Sequence, residues 1–81
     1  MREQLIDIIC KVLEIEENTV TDEKMLVSEL GANSLTIAKI AVEVEDFYDV
    51  LLEDDSIYSF DDISVKEFCE KLEDELTEQG I

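Results

Sequence analysis

Ser34 is the residue of this chain best placed for chemistry. It follows Gly31-Ala32-Asn33, where an acidic stretch without periodicity gives way to an amphipathic one. A serine at such a junction sits at the mouth of a helix, over free backbone N–H groups and the positive end of the dipole. A phosphate carried on its hydroxyl would be stabilised by the helix itself. Without any chemistry, Asn33 or Ser34 is simply an N-cap, worth about 1 kcal/mol.

Few other groups can take part in a reaction. The chain has no histidine, so a serine–histidine–aspartate triad and histidine metal ligation are both excluded. Lys39 lies one turn beyond Ser34, but a Ser-Lys dyad needs a dry cleft and oxyanion donors, which a helix surface does not promise. Glu53-Asp54-Asp55 and Asp61-Asp62 offer hard oxygen ligands for calcium. The ligand order and central glycine of an EF-hand loop are missing, and solvated charge accounts better for the knot. Cys10 and Cys69 are too far apart in sequence to suggest a metal site or redox pair. Cys69 falls on an apolar helix face, as a buried reduced thiol would, and Cys10 is expected to be partly exposed. The expectation is a non-catalytic protein with no metal site.

Composition narrows the class further. The 81 residues suffice for one small domain spanning 1–81, and 46% are apolar, enough to bury a core. With no proline and 2 glycines, long helices suit the chain better than a turn-rich β fold. The 6 basic and 23 acidic residues give a net charge of −17. That field repels nucleic acid and anionic membranes and steers basic protein surfaces toward this one. No apolar run approaches the ~20 residues of a membrane helix, and the N-terminus lacks the basic start and cleavage site of a signal peptide. A cytoplasmic location follows as an expectation.

The hydrophobic pattern supplies the elements that must hold Ser34. Leu5, Ile8, Ile9, Val12 and Leu13 recur at three- and four-residue spacing and predict a first helix over about 2–15. Residues 16–33 have no sustained period. Val20, Met25, Leu26, Val27 and Leu30 read as pegs fastening a long loop over the core, with a short turn near 23–27. Gly31 gives the backbone freedom to turn into the second helix, expected over 34–49. Its inward face reads Ile37, Ile40, Ala41, Val44, Phe47 and Tyr48, with Thr36, Lys39, Glu43 and Asp46 opposite, in water. A further line runs Leu35, Ala38, Val42 and then Glu45. It fits either the edge of a wide core face or a ridge on which a partner docks. A short helix is expected near 56–61. Ser64 and Glu67 then form a capping box opening a final helix, with Val65, Phe68, Cys69, Leu72 and Leu76 on one face and Gly80 past its end. The fold class is all-α: a small four-helix bundle of three main helices and one short one, with a long loop between the first two.

Gly31-Ala32-Asn33-Ser34-Leu35 resembles the Gly-x-Asp-Ser-Leu motif of acyl carrier proteins and peptidyl carrier proteins. The resemblance extends over nearly the whole chain, the family's helix, long loop, acidic second helix, short helix and final helix matching 3–15, 16–33, 34–49, 56–61 and 64–77. It implies a 4′-phosphopantetheine arm, delivered from coenzyme A to Ser34 by a phosphopantetheinyl transferase, with Asn33 and Leu35 flanking the attachment point. The arm would hold acyl intermediates as thioesters in fatty-acid, polyketide or related biosynthesis; an aminoacyl or peptidyl cargo is the alternative. Leu35, Ala38 and Val42, with Glu43, Glu45 and Asp46, match the surface that family members show to basic patches on loading ligases and synthase enzymes. Ile40, Ala41, Val44 and Tyr48 fall where related carriers line a cavity for the acyl chain. Such a carrier would work as a monomer. Two departures stand out: Asn33 replaces the usual aspartate, and Lys39 puts a positive charge on a face that is usually acidic. Both hint at dedicated partners. A reading from another class is an unmodified acidic helical adaptor that masks a basic partner.

Overall fold

The computed structural model describes residues 1–52 and 62–80. Within them lie three α-helices: α1 (Arg2–Leu13), α2 (Ser34–Tyr48) and α3 (Val65–Glu78), with a 3₁₀ turn at Glu17–Thr19. Helix α1 packs against both α2 and α3. The core they enclose includes Leu5, Ile9, Leu26, Ile40, Val44, Phe68, Leu72 and Leu76. Each large side chain so buried contributes about 1.5–3 kcal/mol. The predicted short helix at 56–61 and the acidic run Glu53-Asp54-Asp55 lie outside the described residues.

Helices α1 and α2 stop one or two residues before their expected ends. Glu14 (φ 58°) and Asp49 (φ 55°) adopt the left-handed conformation without being glycine. Ile15 N–H then donates to the Cys10 carbonyl at 3.2 Å, and Val50 N–H to the Glu45 carbonyl at 3.1 Å. These six-to-one bonds satisfy carbonyls that the ended helix leaves open. Ile15 and Val50, the residues just past each stop, fold back onto the core.

The long loop is pinned, as its apolar pegs require. Val20 and Leu26 are buried, and three backbone bonds tie the loop to the start of α3. Leu26 N–H donates to Ile63, Val65 N–H to Lys24 and Lys66 N–H to Asp22, at 2.9, 2.8 and 3.1 Å. The last two satisfy N–H groups that the first turn of α3 cannot pair internally. Ser64 Oγ accepts from Glu67 N–H at 3.2 Å, one half of the expected capping box; the return bond from the Glu67 side chain is absent among the described residues. Where one short turn is expected near 23–27 two form, one closed by Lys24 N–H on the Thr21 carbonyl at 3.1 Å and one over 25–30, which Asp62 caps from outside. Its Oδ1 accepts from Val27 N–H at 3.0 Å and Ser28 N–H at 3.2 Å. Arg2 joins all three parts. It grips Glu73 of α3 with bonds of 2.7 and 3.2 Å and meets Asp22 of the loop at 3.4 Å.

Phe47 departs from the expected core face. It is 60% exposed, with its ring set edge-on against Tyr48 at a centroid distance of 4.8 Å. Gln4, Asp7, Ile8 and Lys11 of α1 line the groove that Phe47 borders. Only Ile8 offers apolar surface there, so the ring gains little by turning inward. Cys69 is buried and Cys10 half-buried, and burial pushes the Cys69 thiol up to about 11. At neutral pH that thiol is protonated and inert.

Candidate functional site at the mouth of α2

The loop delivers the chain to α2 in a fixed register. Ala32 is buried and its N–H donates to the Leu26 carbonyl at 2.8 Å. Gly31 makes the turn at φ 78°, with open space where a side chain would stand. Asn33 then takes the N-cap position with extended backbone. Its Oδ1 accepts from Leu35 N–H at 2.9 Å and Thr36 N–H at 3.0 Å. Thr36 answers: its Oγ1 accepts from Asn33 N–H at 2.8 Å and donates to the Asn33 carbonyl at 3.0 Å. The reciprocal cap is complete without any contribution from Ser34.

Ser34 is therefore the first residue of the helix, and Asn33 is the cap. Its side chain is exposed and its hydroxyl makes no hydrogen bond with the described residues. The ring of free N–H groups expected here is smaller than helix geometry alone suggests. Two of the first three N–H groups are taken by Asn33, leaving that of Ser34 itself. What the mouth offers is an unencumbered hydroxyl, one open N–H and the positive end of a helix of 15 residues. Thr36, expected simply in water, is half-buried and holds the cap. The Asn-x-x-Thr spacing is the signal that could have found it.

The line Leu35, Ala38, Val42 stands on the surface: Leu35 is 64% and Val42 51% exposed, with Ala38 half-buried between them. It is not the edge of the core. With Lys11 and Val12 of α1, with Glu14 just past its end and with Lys39 and Glu43 it borders an open groove of about 620 Å³. Glu43 is half-buried and paired with Lys11 at 3.0 Å. Asp46 is exposed. Glu45 is elsewhere: half-buried, its carboxylate accepts from Leu52 N–H at 2.8 Å and so holds the chain after α2. Ile40, Ala41 and Val44 are completely buried in the core. Tyr48 is half-buried, its hydroxyl enclosed without a partner among the described residues. Burial, and then the charge of Glu73, raises its pKa. Three grooves among the described residues are lined by other residues.

An exposed serine opens a capped helix, held by a pinned loop above a helical core, and its free hydroxyl is open to an attached group. The family model described as the phosphopantetheine attachment site matches residues 3–72. The meromycolate extension acyl carrier protein of Mycolicibacterium aurum is 38% identical over 72 residues, covering 88% of this chain and 74% of that one. That of Mycolicibacterium smegmatis is 38% identical over the same length, covering 73% of its own. The acyl carrier protein of Syntrophobacter fumaroxidans is 30% identical over 59 residues, 73% of each chain. This chain belongs to the acyl carrier protein family. It is a non-catalytic carrier bearing a covalent 4′-phosphopantetheine, and it works with a phosphopantetheinyl transferase and with synthase enzymes. The free hydroxyl, the open space at Gly31 and the helix mouth fit a phosphodiester-linked arm.

Proposed function

We propose that Ser34 is the attachment point and that α2 is the surface partners read. The supporting observation is the division of labour at the helix mouth. Asn33 and Thr36 satisfy the cap between them, so the Ser34 hydroxyl is neither bonded nor needed for folding. The arm supplies a thiol that holds an acyl group as a thioester. The chain's own residues present the attachment oxygen, fix its orientation and favour the phosphodiester charge through the dipole. Leu35 and Val42 are exposed beside the site, with half-buried Ala38 between them and Glu43 and Asp46 along the same helix. That pattern suits an enzyme with an apolar patch ringed by basic residues. Exposed ion pairs worth ~0–1 kcal/mol each let the carrier arrive quickly and leave again.

The meromycolate carriers among its relatives support a fatty-acyl cargo. Coexpression with a broad-specificity transferase should add the mass of one arm, and Ser34→Ala should abolish the addition. Retention of that mass in the variant would disprove the attachment point, and its absence from the native protein would favour the unmodified adaptor. Intact mass spectrometry of protein from its native source would then show whether the cargo is acyl or aminoacyl.

A further inference from the structure

We infer that the groove between α1 and the second half of α2 is a seat for an arginine side chain of a partner enzyme. This rests on α2 being the surface that partners read, and adds an anchor toward the far end of that helix from Ser34. Gln4, Asp7, Ile8 and Lys11 are three or four residues apart and form one stripe of α1. Glu43, Asp46 and Phe47 form the facing stripe of α2, and the two enclose a groove of about 360 Å³. Phe47 is 60% exposed, an aromatic ring left at the surface. Asp7 and Asp46 are exposed beside it, and neither has an ion pair among the described residues. Glu43 is already held by Lys11 at 3.0 Å. Gln4 brings a further acceptor. Its side-chain oxygen has no partner among the described residues, so turning it to a donor breaks no bond of that oxygen.

Two free carboxylates and a ring fit a guanidinium better than other groups. It is planar, weakly hydrated and carries five donors, so it stacks on an aromatic ring while pairing with carboxylates at its edge. Asp7 on α1 and Asp46 on α2 offer that pairing from the two walls. A lysine ammonium is a compact, strongly hydrated charge and gains less from the ring. An apolar group would bury the carboxylates unpaired. The other grooves suit a cation less. The one beside Ser34 balances Glu14 and Glu43 with Lys11 and Lys39. The one bordered by Leu51 is acidic but has no aromatic ring, and its Glu45 is committed to Leu52 N–H. From Ser34 to Phe47 the helix rises about 20 Å. A partner that holds both the Leu35–Val42 ridge and the Phe47 groove is fixed in direction along α2, which sets how it faces Ser34.

The test is an NMR titration of the protein with N-acetylarginine methylamide and, at matched ionic strength, with N-acetyllysine methylamide. The arginine probe should give saturable shifts at Asp7, Asp46 and the Phe47 ring, and bind about two- to fivefold tighter than the lysine probe. Phe47→Leu, a change at an exposed position, should erase that preference, and Asp7→Asn should weaken binding of both probes. Equal affinity for the two probes, shifts spread over the acidic surface without saturation, or a preference that survives Phe47→Leu would overturn the seat. Those results leave attachment at Ser34 untouched, since the arm is read separately by its mass. Failure of the arm to attach there would overturn the tether and leave the arginine preference of the groove standing.

Discussion

Asn33 and Ser34 are both helix-capping residue types, and only one of them caps. The asparagine carbonyl oxygen takes two N–H groups, which leaves the neighbouring hydroxyl with no part in the cap. Replacing Asn33 by alanine should cost about 0.5–2 kcal/mol in urea denaturation. Ser34→Ala should leave stability nearly unchanged, since nothing depends on its hydroxyl. If the two variants were equally destabilised, the division between cap and tether would be wrong. Asn33 is also where the family's usual aspartate is absent. Asn33→Asp keeps the capping oxygen and adds a charge that the dipole favours by ~0.3–1 kcal/mol. That variant should be the more stable, so the natural asparagine is not explained by stability.

At the scale of elements, the loop is the part that most needs outside support. Residues 14–33 run between α1 and α2, and their order depends on pegs and on Asp62. The hydrogen bond from the Ser28 hydroxyl, with those from the backbone of Ser28 and Val27, holds the Asp62 carboxyl below its ordinary 3.8. A carboxyl lowered in the folded state stabilises it fully above the unfolded value, and that contribution is lost as pH falls through the folded one. Asp62→Asn should therefore lower the melting temperature at neutral pH. It should also flatten the part of the acid denaturation profile below about pH 4. An unchanged acid limb would show that the loop does not depend on this carboxylate. Because Ala32 hangs from Leu26 in the same turn, loosening it should also broaden the NMR signals of Asn33 and Ser34.

For the whole molecule the governing quantity is −17 net charge held within extents of 31 × 22 × 20 Å. The charges repel one another, and the ion pairs Arg2–Glu73, Arg2–Asp22, Lys11–Glu43 and Lys24–Glu29 offset little of that. Salt should stabilise the protein, because a Debye length of about 10 Å at 0.1 M is shorter than the molecule. A gain of about 1 kcal/mol would raise the melting temperature by ~4–8 °C. Calcium and sodium chloride at matched ionic strength should act alike if the acids are merely solvated. A much larger calcium shift would mean that a carboxylate cluster binds the ion. The same charge that strains the fold draws in basic partners, and salt that stabilises the carrier should slow its encounters with them.

Periodicity marked out α1, α2 and α3, its absence marked the pegged loop, and residue type marked the Gly31-Ala32-Asn33-Ser34-Leu35 junction. An apolar stripe is dictated by local geometry and shows in any chain that forms such a helix. The exposure of Leu35 and Val42, the outward turn of Phe47, the cap of Asn33 over Ser34 and the commitment of Glu45 to Leu52 came only with tertiary structure. Each depends on what lies opposite in space: α1 beside α2, or the chain folded back past its end. Residues equivalent in type and spacing are separated only by their neighbours, and for Ser34 the deciding neighbours are Asn33 and Thr36, which cap the helix and leave its hydroxyl open to solvent.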